Sequence, residues 1–553
     1  MIWLLNDFDL LSMLLHAATL SLEALLVGGV LFLLAVAGPG GADTSALRAC
    51  RRGLEWTALA MILAEIAAVA VETALVLGSS GGSSGGSSGG GPGGNSGMTV
   101  QQALSGGAAL AQACSVFCAL VLLVLARFSK KLSAWVQAAM LAAATGLLGA
   151  AVAVSHAVSR MDHRAVLTAF TALHHLGSAA WIGAMPFLLM TLKRTDDTAV
   201  ARRVVGRFSR MAMVSVALLV GAGIGLAWFY VASPSGLYGT TYGVLVMVKA
   251  YLLVLILMLG AANWYVQREI ERAPVRLLTR LRRFAEVEVA LGFTAILAAA
   301  ALTSQAPAVD TPTDRLTLHE MVARMRWETP RLKSPPYGAL ATATPIDVAV
   351  QAAQYQPEAA SDANDMAWSE YNHHWAGLVV LLAGALALVS RFRRMRWARF
   401  WPVSFAGLAV FILLRADPEN WPLGPRPFWG SFFEPDVLEH RAAAALILAF
   451  AAFECAVQAG KLRAAWAQYA FPLMCAVGAA LLLTHNHSLA DGKDEVLVLM
   501  NHSALALFGA TAGWARWLEL RLPREAGERR FAGYLWPVAL MAVGMVLLDY
   551  REM

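Results

Sequence analysis

The side chains of this sequence best suited to bind a transition metal are its twelve histidines: His16, His156, His163, His174, His175, His319, His373, His374, His440, His485, His487 and His502. Imidazole is a common ligand for transition metals and for haem. Carboxylates accompany several of these residues at helical spacing. Glu23 stands seven residues beyond His16, about two turns, so both project from one helix face, and Glu65 and Glu72 repeat that spacing. Glu370 precedes His374 by four residues, Asp436 precedes His440 by four, and Glu495 precedes His502 by seven. Such acids serve as ligands or as partners that fix the imidazole tautomer. A lining of neutral histidine and carboxylate inside an apolar helix suits a cation path or a proton relay, because intramembrane ionisable groups are costly and usually functional. The competing reading of each residue alone is an interhelical hydrogen bond.

The elements that must position these residues are membrane helices. Of 553 residues, 58% are hydrophobic and 14% charged, against about 25% charged in soluble domains, and the mean hydropathy is +0.58. Apolar runs of this length and continuity exclude a β-barrel and define an all-α polytopic membrane protein. The net charge of +6 is no nucleic-acid signal, since the basic residues sit in short loops between apolar runs. The first apolar run, from about Leu10 to Val36, is long enough to span, and no cleavable signal peptide is expected. The five cysteines (Cys50, Cys114, Cys118, Cys455, Cys475) form neither a CxxC nor a disulfide framework. Cys114 and Cys118 share a face, and thiolates bind Cu(I) well, but Cys is also a small apolar packing residue, and packing is the favoured reading of the two.

About fourteen helices are expected, at roughly 9–37, 54–78, 106–127, 133–158, 164–193, 207–232, 241–266, 284–304, 373–391, 397–415, 437–459, 466–484, 495–519 and 531–549. Alternate loops are basic, among them Arg48-Arg51-Arg52, Lys193 through Arg210, Arg268 through Arg283 and Arg391 through Arg399. The positive-inside rule then puts both termini outside, in the periplasm of a bacterial inner membrane protein. On that orientation every histidine falls in an external loop or in the outer part of a helix. Residues 1–304 form a first bundle of about eight helices, 305–372 a long external segment, and 373–553 a His-rich bundle of about six. The stretch 78–97, nearly pure Gly and Ser, is a flexible linker by composition.

The block His174-His175-Leu176-Gly177-Ser178-Ala179-Ala180-Trp181-Ile182-Gly183 resembles the His and Trp-Gly signature of the copper resistance D (CopD) family. Similarity continues through Arg207-Phe208-Ser209-Arg210, Gly221 to Gly225, Ser235 to Gly243, Lys249 and Asn263, and is expected to extend over residues 1–305. Ile182 stands where the family carries the first of two glycines. The resemblance implies copper handling at the inner membrane, with movement from periplasm to cytoplasm, and marks residues 173–183 with His16 as the copper region. The second bundle resembles an additional C-terminal membrane domain found with some CopD-like proteins.

The metal-site candidates are therefore His16, His174, His175, His374, His440, His485, His487 and His502. The path or supporting candidates are Glu23, Glu65, Glu72, Trp181, Glu370, Asp436 and Glu495. In the second bundle, mixed imidazole and carboxylate ligation suits Cu(II) or Zn(II) more than Cu(I). No Walker A or aspartyl-phosphate signature is present, so movement would be passive or ion-coupled, and no enzymatic activity is expected. The expected partners are the lipid bilayer, copper and a periplasmic copper-binding protein, with no nucleic acid. Two alternatives stand beside copper transport. Paired histidines on neighbouring helices (His174 with His16, or His440 with His502) can ligate haem b in an electron-transfer protein. A metallochaperone or assembly factor would use the outer histidines without transport.

Overall fold

The computed structural model describes residues 8–81, 107–129, 131–269, 274–313, 315–335, 363–417, 420–429, 435–484 and 492–551. Most of the Gly/Ser stretch, residues 336–362, His485 and His487 lie outside the described residues. The described residues are overwhelmingly helical and contain no β-strand. In hydrocarbon every backbone N–H and C=O must be satisfied within the segment, and a helix does this. Among the described residues, thirteen helical stretches are long and apolar enough to cross a membrane, and a shorter apolar helix occupies Ala467–Leu483, in agreement with the fourteen runs of the sequence. Large apolar side chains such as Trp56, Phe117, Ile224, Trp228 and Leu446 are exposed on these helices, as lipid-facing residues would be.

The chain divides into two compact units, Met1–Pro234 with Leu245–Asp310, and Ser235–Val244 with Thr311–Met553. The first unit is built from α1 (Phe8–Leu31), which widens into a π-helical turn over Phe32–Ala37, α2 (Thr44–Gly81), α3 (Gly107–Phe128), α4 (Ala134–Ala153) and α5 (Arg164–Ser178). A second π-turn, Ala179–Gly183, joins α5 to α6 (Met185–Leu192). Then follow α7 (Thr198–Tyr230), α8 (Thr241–Glu269), which enters this unit at Leu245, and α9 (Pro274–Thr303). The α1 and α5–α6 spans are mostly buried, whereas α2 and α7 are mostly exposed, so α1 and the π-turn form the centre. Glycines let them meet. A Cβ on Gly183 would stand 1.9 Å from the Ala24 carbonyl oxygen, and one on Gly28 would stand 2.1 Å from that of Ala179. Small residues at such a crossing allow the backbone-to-backbone approach on which membrane helix packing depends. Ile182, next to Gly183 in the π-turn, is accommodated from the other side, because its side chain lies where a Cβ on Gly292 of α9 would be.

In the first unit three helices begin about ten residues earlier than the apolar runs suggest: α2 at Thr44 rather than 54, α7 at Thr198 rather than 207, and α9 at Pro274 rather than 284. Arg and Lys are good helix formers, so a basic run ends the membrane span without ending the helix. Asp197 caps α7, accepting from the Ala199 N–H at 2.7 Å. Basic residues also cap neighbouring helix ends. Arg51 donates to the Ala126 carbonyl at 3.0 Å and to that of Ser129, and Arg282 donates to that of Leu192, satisfying carbonyls that have no partner inside their own helix.

The second unit contains the short helix α10 (Leu318–Arg324), α11 (Ala363–Val389), a 3₁₀ stretch Arg393–Phe400 leading into α12 (Val403–Arg415), α13 (Pro435–Gln458), α14 (Ala470–Thr484), α15 (Gly492–Arg521) and α16 (Gly527–Leu548). Its core gathers Trp401, Phe450, Phe471, Trp536 and Leu540, with Trp401 5.1 Å from Phe471 and 5.7 Å from Trp536 between ring centroids. α11 and α16 pack through Gly377, Gly384 and Gly544, where any Cβ would meet backbone of the facing helix. At one end of this unit Glu519 is buried against Arg391, Arg516 at 2.6 Å and the Trp536 indole N–H at 2.8 Å.

At the other end of the unit, residues 315–335 are tied down. Thr317 and Glu320 form a capping box on α10, and Lys493 reaches Glu320 at 2.9 Å. The Lys493 ammonium, then the Thr317 amide and hydroxyl, hold the Glu320 carboxyl down to about 2 from 4.5. A depressed carboxylate contributes stability that is present above its unfolded value near 4.5 and is lost as pH falls through about 2. Hydrogen exchange of residues 318–324 is therefore expected to stay slow at pH 5 and to accelerate on acidification between those two values. Glu320→Gln should make exchange faster at pH 5 and abolish that acid step.

Candidate polar site within the membrane helices

The first unit brings part of the predicted set together at its centre. Glu23 is buried on α1, and its Oε2 lies 3.4 Å from His175 Nδ1 on α5. The other carboxylate oxygen, Oε1, is buried with no hydrogen-bond partner among the described residues. His16, two turns earlier on α1, lies within electrostatic range of His175 and of His156. His156 donates its Nε2–H to the Thr303 carbonyl at 2.8 Å. Glu65 of α2 is buried, faces Ser115 of α3, and lies within electrostatic range of Glu72 and Glu23. Glu72 is more exposed and takes hydrogen bonds from Gln112 at 3.3 Å. His16, His175, Glu23, Glu65 and Glu72 thus form a polar string through helices that are otherwise apolar.

His174 does not join it. Adjacent residues on a helix point about 100° apart, and His174 turns to α7, where its Nδ1–H donates to the Leu219 carbonyl at 3.1 Å beside Gly223. Lys249 of α8 is its charged neighbour. Trp181, buried in the π-turn, points toward Gly260 of α8, and a Cβ there would stand 4.0 Å from the indole and 3.8 Å from Glu288 Oε2. Glu288 is buried on α9 and accepts from the Asn263 amide. Sequence reasoning missed Glu288, which stands at the start of an apolar run, two residues beyond Glu286 and close to Arg282-Arg283.

The histidines of the second unit are largely used in holding its end together. His374 is buried, and both ring nitrogens are engaged: Nδ1 accepts from the Arg331 N–H at 2.8 Å, and Nε2–H donates to the Tyr550 carbonyl at 2.9 Å. No ring nitrogen remains for a metal in this arrangement. Glu370, expected to support His374, instead pairs with the Arg331 guanidinium at 3.1 Å. Arg331 therefore fastens the segment before α11 to that helix through both its backbone and its side chain. His373 donates to the Ser369 carbonyl at 2.9 Å and stacks on the Tyr550 ring at 3.9 Å. His440 donates its Nδ1–H to Asp417 at 2.8 Å, where Asp436 had been expected; the Asp436 side chain lies outside the described residues, as do His485 and His487. His502 is buried on α15 and Glu495 is partly buried about two turns before it. Among the described residues no group of three or more His, Cys, Asp or Glu is gathered as a metal site. Replacing His374 with Phe should expose residues 331–335 to proteolysis and cost about 1–3 kcal/mol for each buried group left unpaired; unchanged protection would remove its assignment as a fastening residue.

Fold and site together define a polytopic helical membrane protein with a buried polar string in its first unit. Residues 202–302, covering most of α7, all of α8 and nearly all of α9, match the family model described as copper resistance protein D. The copper transport protein CutJ of Bacillus subtilis (strain 168) is 30% identical over 162 residues, which is 29% of this chain and 29% of that relative. The aligned region thus spans less than a third of the curated relative's length. No solved structure matches the chain. The family model contains Lys249, Asn263 and Glu288, whereas His16, His174, His175 and Trp181 lie outside it.

Proposed function

We propose that the protein handles copper at the bacterial inner membrane, taking it from the periplasm toward the cytoplasm through the first unit. The copper ion is the substrate, the protein performs no enzymatic chemistry, and movement is passive or coupled to another ion. Both termini and the histidines face the periplasm, with the basic loops in the cytoplasm. The observation that carries this reading is Glu23. Its side chain is buried in the middle of a span, one oxygen faces His175, and the other has no hydrogen-bond partner among the described residues. An acceptor so placed is expensive and attracts a cation. Imidazole nitrogen with carboxylate oxygen fits a borderline ion such as Cu(II), and His16, His175, Glu23 and Glu65 are the residues through which it would pass. The copper-related names of the matching family and of the relative point to the same substrate.

In the second unit, His440, His502, His485 and His487 are the candidates for capturing copper at the periplasmic face, directly or from a periplasmic copper-binding protein. His374 has its ring nitrogens committed and is left out. Elemental analysis with a visible spectrum of the detergent-purified chain tests the whole reading. Stoichiometric copper without a Soret band, lost on replacing His175 and His16 with Ala, is the expected result. Stoichiometric iron with a Soret band would replace copper handling by electron transfer.

A further inference from the structure

At the basic end of the first unit an open cleft of about 710 Å³ lies between α7, α8 and the chain after α1. Arg202, Arg203, Arg207 and Arg210 of α7 line it together with Trp264 and Gln267 of α8. Basic residues at the ends of membrane helices ordinarily set topology and need no ligand. Here the arrangement goes further. Arg203, Arg207 and Arg210 follow a spacing of four and three and so share one helix face, where like charges repel one another. None of the cleft's lining residues is acidic. The arginines are also held in place: Arg207 Nε donates to the Ala35 carbonyl at 3.0 Å and Arg203 Nε to that of Gly40 at 3.4 Å. Each bond uses one of five guanidinium donors and leaves the terminal amino groups, whose fork geometry matches two oxygens of a phosphate.

The cleft also runs from polar to apolar. Ser209 and the arginines give way to Met213, where the apolar run of α7 begins. Trp264, partly exposed, carries the Arg268 guanidinium 3.5 Å above its ring. An indole with an arginine at the end of a span marks the level of the lipid headgroups. We infer that this cleft is a binding site for the phosphate of an anionic phospholipid, with the arginines holding the headgroup and Met213 and Trp264 lining the start of the acyl chains. Basic pockets between membrane helices recognise anionic headgroups by this chemistry, and the volume lies within the range of small-ligand sites. The inference needs only that the helices span a membrane and stands apart from copper.

The full chain, in nanodiscs of phosphatidylcholine with a minor fraction of spin-labelled phosphatidylglycerol, provides the test. The labelled lipid should be enriched next to the protein, and R203Q/R207Q/R210Q should weaken that enrichment roughly ten-fold or more. Gly206 lines the same cleft, and a Cβ there would meet only the end of the Gln267 side chain, at 3.4 Å. Gly206→Leu therefore fills the cleft without removing a charge and should abolish enrichment as well, while R393Q/R394Q/R396Q in the second unit should not. Three results would overturn the site: enrichment unaffected by G206L, equal loss in the R393Q/R394Q/R396Q variant, or displacement of the lipid by millimolar inorganic phosphate, which would make the cleft a site for a free anion. A thermal melt of each variant separates loss of binding from loss of fold.

Discussion

Gly183→Ala is expected to destabilise the first unit and to disable its polar site at once. The added methyl would stand 1.9 Å from the Ala24 carbonyl oxygen and 2.4 Å from its carbon. Both are backbone atoms of α1, so no side-chain rotation relieves the overlap, and the π-turn must move away from the helix. Overpacking of this kind costs about 1–3 kcal/mol and occasionally more. Ala24 is the neighbour of Glu23, and His175 lies on the helix that runs into the π-turn, so the same displacement separates the Glu23–His175 contact. A lowered thermal midpoint together with lost copper binding is the expected pair of results. Gly149→Ala and Gly221→Ala, where a Cβ meets nothing within 4 Å, serve as controls and should be neutral or slightly stabilising, since Gly inside a helix costs about 0.5–1 kcal/mol relative to Ala. If Gly183→Ala melts with those controls, the close crossing of α1 and the π-turn is not what holds the site.

Removing Glu519 should have a larger effect, in the second unit. Its carboxylate receives both arms of Arg391, Arg516 at 2.6 Å and the Trp536 indole at 2.8 Å, and the side chain is buried. Glu519→Leu leaves two guanidiniums facing each other without a counter-charge, and breaking a buried pair from one side costs about 3–5 kcal/mol. Unfolding in denaturing detergent, followed by tryptophan fluorescence because Trp401 and Trp536 sit in the same core, should show the loss. Replacing Arg391, Glu519 and Arg516 together with apolar residues of similar volume should recover much of it. A change below about 1 kcal/mol for Glu519→Leu would mean that the network is solvated like a surface ion pair.

The helices were legible because a span in hydrocarbon needs a run of apolar residues, and such runs are visible in composition. Their ends were less so. The starts of α2, α7 and α9 were set too late because the basic residues that end a membrane run continue the helix. The π-turns at Phe32–Ala37 and Ala179–Gly183 carry no compositional mark, yet the second places Trp181 and Gly183 at the centre of the first unit. Within the site, Glu23 contacts His175 at 3.4 Å, and His16 lies within electrostatic range of His175. His174, next to His175 in sequence, turns to the Leu219 carbonyl instead, because consecutive helical side chains diverge. In the second unit the i−4 acids were visible but their partners were not: Glu370 binds Arg331, and His440 binds Asp417, which lies 23 residues away. Contacts between distant segments leave no periodic trace, and a histidine fastened by two backbone groups, such as His374, has the same sequence signature as a metal ligand.

The most direct test of a copper path through the first unit is copper entry into proteoliposomes that contain the full chain and an enclosed copper-sensitive dye. Wild type is expected to admit copper, and Glu23→Gln, which keeps the shape of the side chain and removes its charge, should slow entry roughly ten-fold or more while melting like wild type. Entry at the wild-type rate through Glu23→Gln, or no entry through wild type at all, would contradict a path past Glu23 and His175.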